Sequence, residues 1–107
     1  MFLTRLMERN SAFVEAAVSL HQAGKIPANS YVLDLDAAGH NAEVIAAEGK
    51  RLNLKVYPMT KQIGRNEKAM DVFARHGLDD YVAVDMGCAY PIHAAGYGIG
   101  HIGHLVQ

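Results

Sequence analysis

Lys61 stands at the end of an apolar run, LKVYPMTK, just before a polar, glycine-containing turn, QIGRNE. Lysine is among the residues least often found in a core. Its place at the end of an interior strand therefore asks for a chemical reason. A desolvated ε-amine loses its proton more readily, and the neutral amine attacks carbonyls to form Schiff bases. The other arrangement is a lysine whose stem packs on the strand while its ammonium reaches water. On residue pattern alone that second arrangement is the commoner one.

Other residues could also do chemistry. Asp36 and Asp85 follow apolar runs and could act as general acids or bases, but aspartate at a strand–helix junction more often caps the helix. Capping is the expectation for Asp36, and both roles stay open for Asp85. His93, His101 and His104 raise the question of a metal. On a regular strand His101 and His104 face opposite sides, and no carboxylate or cysteine lies nearby in sequence to complete a ligand set. No metal is expected. His104, near a strand end, could instead line a cofactor pocket or bond a backbone carbonyl. Gly98, Gly100 and Gly103 match G-x-G-x-x-G, but a dinucleotide fingerprint needs a strand before it and a helix after it. Here a helix precedes and a strand is involved, so the match is set aside. Cys88 is expected to be a small buried residue, and Tyr57 to be packing.

These residues need elements to position them. Helical spacing of Phe13, Val14, Ala17, Val18 and His21 predicts a helix over about 2–23, with a separate turn around Phe2 to Met7. Gly24 and Pro27 end it. SYVLDLD reads as a strand starting near 31, followed by a helix over roughly 37–52. LKVYPMTK is the second strand, from about 54. Asn66 caps a helix over about 67–76, with Gly77 past its end. DYVAVD is the third strand, from about 81. A short helix around 86–95 contains Pro91, which is expected to confine it to its second half. GIGHIGHLVQ gives a fourth strand, from about 99.

Strands alternating with helices imply parallel βαβ units. The fold class expected is α/β: a single partial domain over 1–107, the first half of a (β/α)₈ TIM-type barrel with four parallel strands. Active sites of such folds lie at the carboxyl ends of the strands, where Asp36, Lys61, Asp85 and His104 fall. A half barrel exposes parallel edges that invite pairing, so a homo-oligomer is expected.

Composition sets the outer limits. Half of the 107 residues are apolar, and ten basic residues balance eleven acidic ones, for a net charge of −1. That is enough for a core and too hydrophobic for disorder. The charges do not cluster, which argues against a nucleic-acid partner. No apolar stretch is long enough to span a membrane, and the amino terminus lacks a signal-peptide core. One cysteine permits no internal disulfide, and a cytoplasmic location is expected.

The succession YVLDLDAAGHN, KVYPMTKQIGRN, YVAVDMGCAYPIHAAG and HIGHLVQ resembles the amino-terminal half of alanine-racemase-like enzymes. These are the fold type III pyridoxal-phosphate enzymes, and the likeness is strongest to their uncharacterised bacterial YhfX-like branch. Asp34, Asp36 and Asn41 match the D-x-D-x-x-x-x-N opening. Lys61 matches the lysine that holds the cofactor. The resemblance implies pyridoxal 5′-phosphate on Lys61, an amino acid as small-molecule substrate, and racemase (isomerase) chemistry by proton abstraction at its α-carbon. Racemases proper carry a tyrosine four residues after the lysine, near the phosphate. Arg65 stands there in this chain and could serve as a charged substitute. Two other expectations remain beside this one: a non-catalytic pyridoxal-phosphate-binding homeostasis protein, and a structural fragment without cofactor.

Overall fold

A computed structural model describes residues 1–103. They form two compact units, Met1–Asp34 and Leu35 onward.

The first unit is built on one helix, α1 (Phe2–Gln22), which is broken at Asn10 (φ −153°, ψ 68°). The break makes Asn10 a cap: its Oδ1 accepts from the Phe13 N–H at 3.1 Å. Its Nδ2 donates to Asp34 Oδ2 at 2.8 Å. The separate front turn read from the sequence thus ends at Asn10. Gly24, at φ 68°, ends the helix. No residue of α1 is buried.

The second unit carries α2 (Leu35–Arg51), α3 (Glu67–Ala74), β1 (Asp80–Ala83), α4 (Met86–Ala94) and β2 (Gly98–Ile102). Asn66 caps α3 by accepting from the Ala69 N–H at 3.1 Å, as the sequence predicts. Gly77 takes a positive φ of 79° just beyond the helix. Strands β1 and β2 pair in parallel, joined by α4. An irregularity in the register opens after the Tyr81–Ile99 pair, so that Val82 pairs with His101 and Gly100 is the extra residue. On its other edge β1 meets residue 59 through one isolated parallel bridge, Met59 to Val82. The Val82 N–H donates to the Pro58 carbonyl at 2.8 Å.

The core sits between the helices and one face of β1. Met70, Tyr81, Ala83, Cys88 and Ile92 are buried there, with Phe73, Val84, Ala89, Ala95 and Tyr97 packed against them. The Tyr81 hydroxyl donates to the Met70 carbonyl at 2.7 Å, which satisfies the one polar atom this ring brings inside. Desolvation pushes its phenol pKa upward. Tyr97 tilts against Tyr81 with ring centroids 5.6 Å apart. Its hydroxyl donates to Asp71, and that bond raises its own pKa.

This architecture corrects the expected fold class. Among the described residues there are four α-helices and one sheet of two short parallel strands, not four parallel strands of half a barrel. Two local causes are visible. Helix α2 starts at Leu35 and absorbs the end of the run YVLDLD. The four residues left, 31–34, form no strand. In the second run, Pro58 has no N–H to give a ladder, and pairing shrinks to the Met59 bridge. Helix α4 also departs from expectation. It runs from Met86 straight through Pro91, whose nitrogen has no hydrogen to donate.

Candidate functional site

The chain leaves the edge of β1 at Thr60 and turns sharply. The Thr60 carbonyl accepts from the N–H groups of Ile63 (3.1 Å) and Arg65 (3.0 Å). The side chain of Thr60 is fully buried, and its Oγ1 has no hydrogen-bond partner among the described residues. Lys61 opens a single 3₁₀ turn, Lys61–Ile63. Its side chain is exposed, which is the solvated arrangement and not the desolvated one that the sequence tied to Schiff-base chemistry. Gly64 and Arg65 then take left-handed φ values of 68° and 58°. Glycine adopts that conformation freely, whereas arginine does so only where surrounding contacts hold it.

The contacts that hold Arg65 come from the next strand-to-helix junction. Its Nε–H donates to Cys88 Sγ at 3.2 Å. Its terminal nitrogen lies 3.6 Å from Asp85 Oδ1. The same Asp85 oxygen accepts from the Cys88 N–H at 2.7 Å and caps α4. Bonds from Cys88, and behind them the charge of Arg65, hold the Asp85 carboxyl below the usual carboxylate range. Cys88, and to a smaller degree Asp85, raise the pKa of Arg65. Both junctions follow parallel segments joined by the Met59–Val82 bridge. The Lys61 turn and the start of α4 therefore lie side by side at one end of the sheet.

The other predicted residues are placed differently. Asp36 lies within the first turn of α2 rather than before it, because the helix starts at Leu35. Its charge there favours the positive end of the helix. His93 lies in the last turn of α4, and His101 is exposed on β2. His104 lies outside the described residues. Cys88 is buried, as its type suggests. Its partnership with Arg65 was not legible, although the three-residue spacing from Asp85 to Cys88 is that of a capping aspartate.

The sheet face opposite the helices carries a second cluster. Lys55 pairs with Asp80 at 2.5 Å, and its Nζ sits 5.3 Å from the centre of the Tyr57 ring. The Tyr57 ring lies over Gly100, and the Asp80 carboxylate over Gly98. Gly98 and Gly100 of GIGHIG thus lie within a strand, where side chains from neighbouring segments occupy the space beside them. A groove of about 670 Å³ between α2 and α3 is lined by Asp36, His40, Glu43, Lys68, Asp71 and Arg75 among others. Neither Lys61 nor Arg65 lines it. Its charges are mixed in sign, and nothing in it converges on the lysine, so concavity alone does not locate the chemistry here.

No family model matches the chain. Over all 107 residues it is 37% identical to the uncharacterized protein YhfX of Escherichia coli (strain K12). The chain spans 28% of the length of that protein. The likeness to YhfX agrees with the branch that the sequence motifs resemble. No helix among the described residues is long and apolar enough to cross a membrane.

Proposed function

We propose that Lys61 is the carbonyl-reactive lysine of a pyridoxal-phosphate-dependent, racemase-like protein acting on an amino acid. The motif likeness around Lys61 supports this. So does one structural observation: the Lys61 side chain is exposed on a turn whose two flanks are fixed, by buried Thr60 and by Arg65 on Asp85 and Cys88. Exposure lets an aldehyde reach the amine, and fixed flanks hold it in one place. Pyridoxal phosphate, when bound, supplies an electron sink for charge developing at the α-carbon. At the aldehyde end of that cofactor, the exposed Lys61 amine would be the partner. At the phosphate end, Arg65 already faces Asp85, so a phosphate would meet a pair whose charges oppose. Activity of the whole protein, its amino-acid substrate and its self-association belong to the same proposal. Exposed Ile99 and Ile102 on β2 favour an apolar contact at that edge.

The test is chemical trapping. The chain is incubated with pyridoxal 5′-phosphate, reduced with borohydride and mapped by peptide mass. The pyridoxyl group is expected on Lys61 in preference to Lys25, Lys50, Lys55 and Lys68. Even labelling of all five lysines would overturn the proposal. Exchange of a bound amino acid's α-proton in D₂O then separates a racemase-like protein from a non-catalytic cofactor carrier.

A further inference from the structure

Arg65 joins two pieces of chain that the sequence holds twenty residues or more apart. Its backbone N–H closes the Lys61 turn on the Thr60 carbonyl. Its side chain reaches the first turn of α4, where it donates to Cys88 Sγ and faces the carboxylate that caps the helix. Its left-handed backbone is strained for a residue with a side chain. A glycine would remove that strain but would also remove the tie. The guanidinium is about one-third exposed, at 32%. Its Nε–H is occupied and its charge is opposed by Asp85.

We propose that Arg65 is a positioning residue, a brace that fixes the Lys61 turn against the start of α4, and not the contact for an anionic group on the ligand. The inference rests on Lys61 being the carbonyl-reactive lysine. Arginine suits the task because its planar fork addresses the thiol and the carboxylate at once. Lysine would offer a single point charge on a flexible stem. Loosening the turn would misplace the Lys61 amine without touching it, and small misplacements of a reacting group are costly.

Two aldehydes separate the roles. Pyridoxal 5′-phosphate carries a phosphate and pyridoxal does not, while both offer Lys61 the same carbonyl. The full chain and its Arg65→Ala and Arg65→Lys variants are trapped with each aldehyde and mapped, with Lys50 as internal reference. Alkylation of Cys88 by iodoacetamide is followed in parallel. For a brace, Arg65→Ala lowers the Lys61-to-Lys50 labelling ratio by about tenfold with both aldehydes alike. Cys88 alkylation rises, and Arg65→Lys restores neither. A loss confined to pyridoxal 5′-phosphate would identify an anion contact and overturn the proposal. Unchanged labelling with unchanged Cys88 alkylation would overturn it too. Should Arg65→Ala unfold, Asp85→Asn keeps an oxygen to cap α4 while removing the charge facing Arg65. It is expected to shift both readouts in the same direction by a smaller factor, and no shift counts against the brace. If the unmodified chain shows no preference for Lys61 with either aldehyde, the reactive-lysine proposal fails. The brace is then judged on Cys88 alone, whose alkylation must rise in Arg65→Ala.

Discussion

The ring of Tyr57 lies on Gly100, in the space that a side chain at position 100 would fill. These residues belong to the two segments flanking β1, so the ring crosses the face of that strand. Asp80 of β1 lies over Gly98 in the same way, and Lys55 links the two by pairing with Asp80 and sitting against Tyr57. A segment held to β1 by one bridge is thus also held by side chains.

Gly100→Ala is therefore expected to displace the Tyr57 ring. Overpacking of this kind costs about 1–3 kcal/mol, read as a lower urea midpoint at unchanged slope. Tyr57→Ala in the Gly100→Ala background should recover part of the loss, because contacting residues couple. Strict additivity of the two changes would show that the contact does not limit stability.

Local signals were the legible ones. Asn66 announced its cap, Gly77 its positive φ, and DYVA and GIGHI their parallel pairing around a helix. The first two runs misled for a reason that composition hides. YVLDLD has the residue types of a strand, but Leu35 and Asp36 serve equally well in the first turn of α2. LKVYPM is apolar enough for a strand, but Pro58 removes a donor from its ladder. At the site, the position of Lys61 after an apolar run was readable. The tie from Arg65 to Cys88 was not, since it depends on two left-handed residues and a contact across 23 positions.

Tyr81 offers a clean test of the core. Tyr81→Phe keeps the ring and loses the bond to the Met70 carbonyl, at a cost of about 1 kcal/mol. Burial raises the pKa of the phenol in the folded chain. The folded state then holds its proton more tightly than the unfolded chain, whose phenol titrates near pH 10. Stability from this source is complete below about pH 10 and declines as pH rises above it. Urea midpoints measured at neutral and alkaline pH should converge between the parent chain and Tyr81→Phe. A constant gap between them would contradict the assignment.

Asp85 predicts the opposite pH sign. Its carboxyl is held below the usual range by Cys88 and Arg65, so its contribution is present above about pH 4 and is lost as pH falls through its folded value. Asp85→Ala removes the cap of α4 and should lower the stability at neutral pH. Asp85→Asn should cost less, and should flatten the acid limb of the stability curve. Circular dichroism followed from pH 7 down to pH 2 reads both effects. An acid limb identical in the parent chain and Asp85→Asn would assign the depression elsewhere.

Lys61 should be dispensable for folding and indispensable for trapping. Its side chain is exposed on a one-turn 3₁₀ segment, and surface substitutions of this kind stay within about 0.5 kcal/mol. Lys61→Ala is therefore expected to melt with the parent chain and to lose the borohydride-fixed pyridoxyl group at that position. Lys61→Arg tests the chemistry rather than the charge. A guanidinium keeps its proton throughout the working pH range and does not act as an amine nucleophile, so it should trap as little as alanine. Parent-like trapping in Lys61→Arg would mean that another group captures the aldehyde. A large fall in melting temperature in Lys61→Ala would mean that the lysine is a structural residue of the turn.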